Sequence, residues 1–262
     1  MWHRQVFLLL VFAGLVPSAA RGQIAEVDEG ESIKISGGRP ASGEILPDLV
    51  AAANIIVTGT NDFRRNKGHR NTEVNLKLTK TAQYFADFMA RTDKYGHHAD
   101  GHRPAERAKE HDYDYCIVSE NIANQFSSAG FTTKELAKGF FRGWKHSPGH
   151  RKNMLDADVT QTGVAVARSE QSGYYYAVQM FGRPKSMSIE FQITNNSDAV
   201  IQYSIGSRTF PLPPRLTRTH QRCRPTELTI QWPDEQESTA VQTRSGDHYT
   251  IVRQESGILR VK

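Results

Sequence analysis

The chain has 262 residues, 38% of them hydrophobic and 23% charged. That is enough apolar material for one large core or two ordinary ones, and it excludes a wholly disordered chain. The net charge of +5 comes from basic residues interspersed with acids, without a basic stripe or aromatic platform, so no nucleic-acid partner is expected.

The N-terminus, MWHRQVFLLLVFAGLVPSAARG, has a positive start at Arg4, an apolar run from Val6 to Val16 and small residues from Ser18 to Ala20. It reads as a signal peptide over 1–22, cleaved near residues 20–22, which would export the protein to the periplasm, the cell envelope or the medium. The alternative is an uncleaved anchor, for which the run is short. Residues 23–43 are acidic, then Gly/Ser-rich, and read as a flexible leader.

A helix is expected from Pro47, as a first-turn proline, with Gly68 at its stop. Leu78, Ala82, Phe85 and Met89 recur on one face of a second helix. Pro104 opens a short third helix, PAERAKEH. Thr132 and Glu135 have the form of a capping box for a fourth, which carries Leu136, Phe140 and Trp144 on one face and breaks at Ser147-Pro148-Gly149. TGVAVARS (162–169) and YYYAVQMFG (174–182) read as a hairpin. Helices followed by a hairpin give a layered α+β domain over 44–185. From 186 to 262 only short strands and turns are legible, which indicates a small all-β, sandwich-like domain.

Tyr95 to Leu155 holds six of the ten histidines, with Glu120 between His97 and His150. These groups cannot meet along one helix, so any shared site is built by tertiary folding. The plainer reading is a set of polar loops that happen to collect histidines. Cys116 and Cys223 form an even pair that permits one disulfide, worth about 4–5 kcal/mol in the loop-entropy model. Two buried free thiols fit the sequence equally. Asn195-Asn196-Ser197 matches a glycosylation sequon, though a turn is the simpler reading.

NDFRRNKG (61–68), FADFMA, YGHHADG with PAERA, SENIA (119–123), the run from Trp144 to Asn153, TGVAV and VQMFGRP occur in one order. Together they resemble the CAP superfamily (cysteine-rich secretory proteins, antigen 5 and pathogenesis-related proteins), in its bacterial secreted SCP-domain branch. The resemblance covers Leu46 to Pro184 and implies an α-β-α sandwich with a central cleft. The family's cleft histidines fall on His97 and His150 and its first glutamate on Glu120. His98 is a cleft neighbour. The second glutamate falls on Ser147, so this chain lacks it.

Two imidazoles and one carboxylate are a sufficient set for a divalent ion, with zinc the natural candidate. The same residues would serve equally as a hydrogen-bonded network fixing loops, with Glu120 accepting from a histidine or from backbone amides. His98 and His102 are better read as surface loop, and Arg107 and Arg151 as solvated charge. Two functions follow. One is an exported binding module whose cleft holds a metal, small ligand, lipid or peptide while the β domain docks to an envelope component. The other is a metal-assisted hydrolase of peptide or cell-wall substrates, with Glu120 catalytic. The missing second carboxylate favours the first, and a monomer is expected.

Overall fold

The computed structural model describes residues 33–34, 46–233 and 237–262. The signal peptide and nearly all of the leader expected from the sequence lie outside those residues. After the two-residue strand β1 (Ile33–Lys34), α1 (Leu49–Arg65) opens on Asp48, whose side chain accepts from Ala51 N at 2.9 Å. Pro47 therefore precedes the cap instead of forming the first turn. β2 (Glu73–Val74) leads into α2 (Leu76–Thr92), capped by Asn75. The expected stripe of Leu78, Ala82, Phe85 and Met89 is wholly buried.

β3 (Lys94–Tyr95) pairs with β1. α3 (Pro104–Glu110) has its proline in the first turn. The long strand β4 (Tyr115–Gln125) comes next, then α4 (Thr133–His146), entered through the Thr132/Glu135 capping box. Pro148 does not simply end α4. It starts a new short helix, α5 (Pro148–Met154), with Ser147 shared between the two. β5 (Gln161–Arg168) and β6 (Tyr175–Pro184) form the hairpin.

The first sheet has the order β2-β5-β6-β4, with β4 antiparallel to β6 and β2 parallel to β5. Alternation along β5 sends Val164 and Val166 into a core with α1, α4 and α5. Ala165 and Ala167 enter the opposite core, built on α2. The result is a three-layer α-β-α sandwich. Gly163 lets α2 lie directly on β5, because a Cβ there would strike the backbone of Leu78 and Thr79.

A single 3-10 turn (Lys185–Met187) separates β6 from a second, all-β region. It comprises β7 (Ile189–Asn195), β8 (Ile201–Ile205), β9 (Arg208–Leu212), β10 (Thr217–Arg222), β11 (Glu227–Gln231), β12 (Ser238–Gln242), β13 (His248–Arg253) and β14 (Leu259–Val261). Two four-stranded sheets, β10-β7-β13-β14 and β12-β11-β8-β9, enclose one core around Phe191, Tyr203 and Ile230. Pairing is antiparallel except between β7 and β13. β9, β10 and β12 carry no sequence signal strong enough to read. β9 contains Pro211, which is tolerated because β9 is an edge strand. Asn195 is buried and donates to Ala199 O and Leu212 O, so the sequon is a turn.

The two regions are joined covalently by Cys116–Cys223, with Cα atoms 5.1 Å apart. Beside it, Arg224 binds Asp156 and Asp158, each at 2.6 Å.

Candidate functional site

β4 is the edge strand that organises the site. Trp144 Nε1 on α4 and the Tyr95 hydroxyl on β3 both donate to the carbonyl of Ile122, at 2.9 and 3.3 Å. They clamp the strand from its two sides. Asn153 on α5 donates to Glu120 O at 3.1 Å and to Asn121 Oδ1 at 2.9 Å, while Asn121 donates to His150 O at 3.2 Å. These bonds fix α5 against β4 and bring the His150 segment beside Glu120. This also accounts for the spacing of the run from Trp144 to Asn153, in which Trp144 anchors one helix and Asn153 the next.

His97 lies in the turn after β3, with Nδ1 2.8 Å from Glu120 Oε1. The Glu120 side chain is 1% exposed and that of His97 is 20% exposed. Glu120 has a second partner, and it corrects the expectation that Arg107 is solvated charge. Arg107 on α3 is buried, and its Nη2 donates to both Glu120 oxygens, at 3.0 and 2.8 Å. Arg107 also donates to Asp100 Oδ1 at 2.7 Å and to the carbonyls of His97 and His102. Its guanidinium stacks on Phe85 at 3.6 Å. One cation thus holds two buried carboxylates and the whole His97–Arg103 turn. The sequence signal available for it is the position of Arg107 in the first full turn of a Pro104-led helix, seven residues after Asp100.

His150 is half-buried. Burial, and then the proximity of His97, lower its pKa from the ordinary imidazole value. Burial beside the Glu120 charge pushes the Tyr95 phenol up to about 12, so it stays a neutral donor. Ser147 caps α4 through its backbone N–H to Gly143 O and accepts from Arg151 N, and its side chain makes no cap bond. His98 sits in the same turn as His97. His102 leaves the cleft for Glu110, at 2.9 Å on the surface.

Among the described residues, no group of three or more His, Cys, Asp or Glu side chains is arranged to hold a metal ion. Glu120, with both oxygens taken by Arg107, does not fit as a ligand as it stands. By donor chemistry, the imidazoles of His97 and His150 are the groups that remain for such an ion. His97 gives Nδ1 to a carboxylate, the outer-position pairing that fixes a ligating imidazole and leaves Nε2 available.

Residues 57–181 match the model of CAP, the cysteine-rich secretory protein family. A curated relative is the uncharacterized protein YkwD of Bacillus subtilis, 27% identical over 129 residues, or 49% of this chain and 46% of that protein. The chain thus matches just under half the length of that relative. Among solved structures, an extracellular SCP-domain protein from Bacillus anthracis is similar at 23% identity and a TM-score of 0.45, over 54% of this chain and 45% of that one. An outer surface protein of Borrelia burgdorferi aligns at 18% identity and a TM-score of 0.45, over 51% of this chain and 93% of that one.

Proposed function

We propose that this CAP-domain protein is an exported binding module whose cleft takes a small ligand or divalent ion, zinc foremost, at the imidazoles of His97 and His150. The observation that carries this reading is the state of Glu120. Its two oxygens accept from Arg107 and one also from His97, so three of its roughly four acceptor positions are taken, and it is shielded from solvent. A carboxylate so held is a poor general base, which must reach a substrate or water proton. It orients His97 instead. The lowered pKa of His150 keeps that imidazole neutral, the form that offers a lone pair to an ion or hydrogen-bond donor.

Export is supported by the N-terminal sequence, and no helix among the described residues is long and apolar enough to cross a membrane. The test is zinc calorimetry on the purified chain near neutral pH. The wild type and Glu120→Gln are expected to bind about one ion, and His97→Ala/His150→Ala to lose it. Loss of binding in a folded Glu120→Gln variant would replace this reading with a three-ligand metal centre. No binding by the wild type would remove the ion from the proposal.

A further inference from the structure

The all-β region carries a feature that the cleft does not use. Between Asp198 and Glu227 the chain contains no acidic residue but five arginines and His220. The charges are interspersed over the chain as a whole, but not in this stretch. The fold concentrates it, because β9 and β10 are free edges of different sheets, joined across Pro213-Pro214.

Register decides where the side chains point. On β10, Arg218, His220 and Arg222 lie opposite Ile193, Phe191 and Ile189 of β7, all buried in the core. On β9, Phe210 lies opposite Tyr203, and Arg208 opposite Ile205. Cross-strand partners share a face, so these residues all face inward, at the open mouth between the two sheets. Contacts across the mouth agree. The Arg218 guanidinium lies 6.0 Å from the Phe210 ring, and the His220 and Phe210 rings are 5.6 Å apart.

The cations are unneutralised. Among the described residues, Arg208, Arg215, Arg218 and Arg222 form no ion pair, while Arg224 is taken by Asp156 and Asp158. Arg222 Nε is buried without a hydrogen-bond partner. The pKa of His220 is lowered by burial and then by the charges of Arg222 and Arg218, the mark of a local positive field.

We infer that the β9–β10 mouth binds an acidic polysaccharide. Arg218 and Arg222 stand four residues apart on one strand, about 14 Å. That is too far for one small anion and suits successive charges of a linear polymer. Guanidinium forks match carboxylates in two-bond geometry. Phe210 and His220 stack by one face on Tyr203 and Phe191 and are half-exposed beyond that, so they add apolar ring surface beside the arginines against which a sugar ring can rest. Inward-pointing charge on an edge strand also blocks edge-to-edge pairing, so the test separates binding from that purely protective role.

The probe is polygalacturonate, titrated against the purified full chain, with dextran, polyphosphate and single-stranded DNA as comparators. Binding to polygalacturonate is expected to weaken as salt rises and to be lost on dextran. Arg218→Gln/Arg222→Gln should bind at least about tenfold more weakly, the scale of losing two charge-assisted contacts. The exposed pair Arg208→Gln/Arg215→Gln should weaken binding without disturbing the core, which keeps the test valid if the first variant misfolds. Lys134→Gln/Lys138→Gln, an equal loss of charge on α4, should change nothing. No binding, binding indifferent to both arginine pairs, or stronger binding to polyphosphate or DNA than to polygalacturonate would each overturn the proposal.

Discussion

Arg107 and Glu120 form a buried ion pair in which one guanidinium nitrogen reaches both carboxylate oxygens, at 2.8 and 3.0 Å. Asp100 shares the same cation. Replacing Arg107 by methionine would leave buried Asp100 without its cation and Glu120 with His97 alone; breaking a buried pair in this way typically costs about 3–5 kcal/mol. We expect a urea midpoint shift of that size, larger than the shift for Glu120→Gln, which keeps a neutral acceptor for Arg107. Equal and small shifts would mean that the pair is not the anchor of the His97 turn.

The ion pairs of Arg224 predict a pH dependence. Burial pushes the Asp156 carboxyl up, but the Arg224 hydrogen bond, the Asp158 amide and the charges of Arg224 and Arg64 outweigh it and hold the pKa below the ordinary value of 3.8. A carboxyl depressed in the folded state adds stability that is complete above its unfolded value and is lost as pH falls through the folded one. The melting temperature of the wild type should therefore exceed that of Arg224→Gln at pH 6, and the gap should close below about pH 3.8. Arg224 is half-exposed, so the gap will be small. A gap unchanged down to pH 2.5 would contradict the assignment.

The disulfide closes a separation of 107 residues. Cys116→Ser/Cys223→Ser should lower stability by about 2–4 kcal/mol, the usual range for such a link. Equal stability of the oxidised wild type and the double variant would show that the bond constrains neither the folded nor the unfolded chain.

The three cores divide cleanly along the chain, two within residues 52–181 and one within 189–259. A chain shortened to end near Lys185, with Cys116→Ser, should fold with cooperative melting and the circular dichroism of an α+β unit. Insolubility or a broad, non-cooperative melt would show that the β region completes the first core.

The parts legible in the sequence share one property: local chemistry sufficient to specify them. The α2 stripe, the Thr132/Glu135 box and the Pro104 turn each rest on contacts within a few residues. β4 escapes a pattern reading because Ser119, Glu120, Asn121 and Asn124 interrupt its apolar alternation. Of these, Glu120 and Asn121 are there to bind Arg107, His97 and Asn153. α5 escapes it because Pro148 reads as a breaker and is a first-turn residue only once a new helix follows it. β10, with sequence TRTHQR, has no apolar residue facing the core, so no period-2 signal exists to read. In the site, His97, Glu120 and His150 are legible through the family motifs. Arg107 reads as solvated because its two carboxylate partners are distant or unmarked in sequence, and burial of an arginine is legible only once both are in place.

The central claim is that the cleft binds and does not hydrolyse, because Glu120 is held by Arg107 and His97. The most direct measurement is turnover of a peptide substrate and of peptidoglycan by the purified chain, with and without zinc, beside Glu120→Gln. The account predicts no turnover above background in either protein. Turnover by the wild type that disappears in a folded Glu120→Gln variant would contradict it and make Glu120 the catalytic base of a hydrolase.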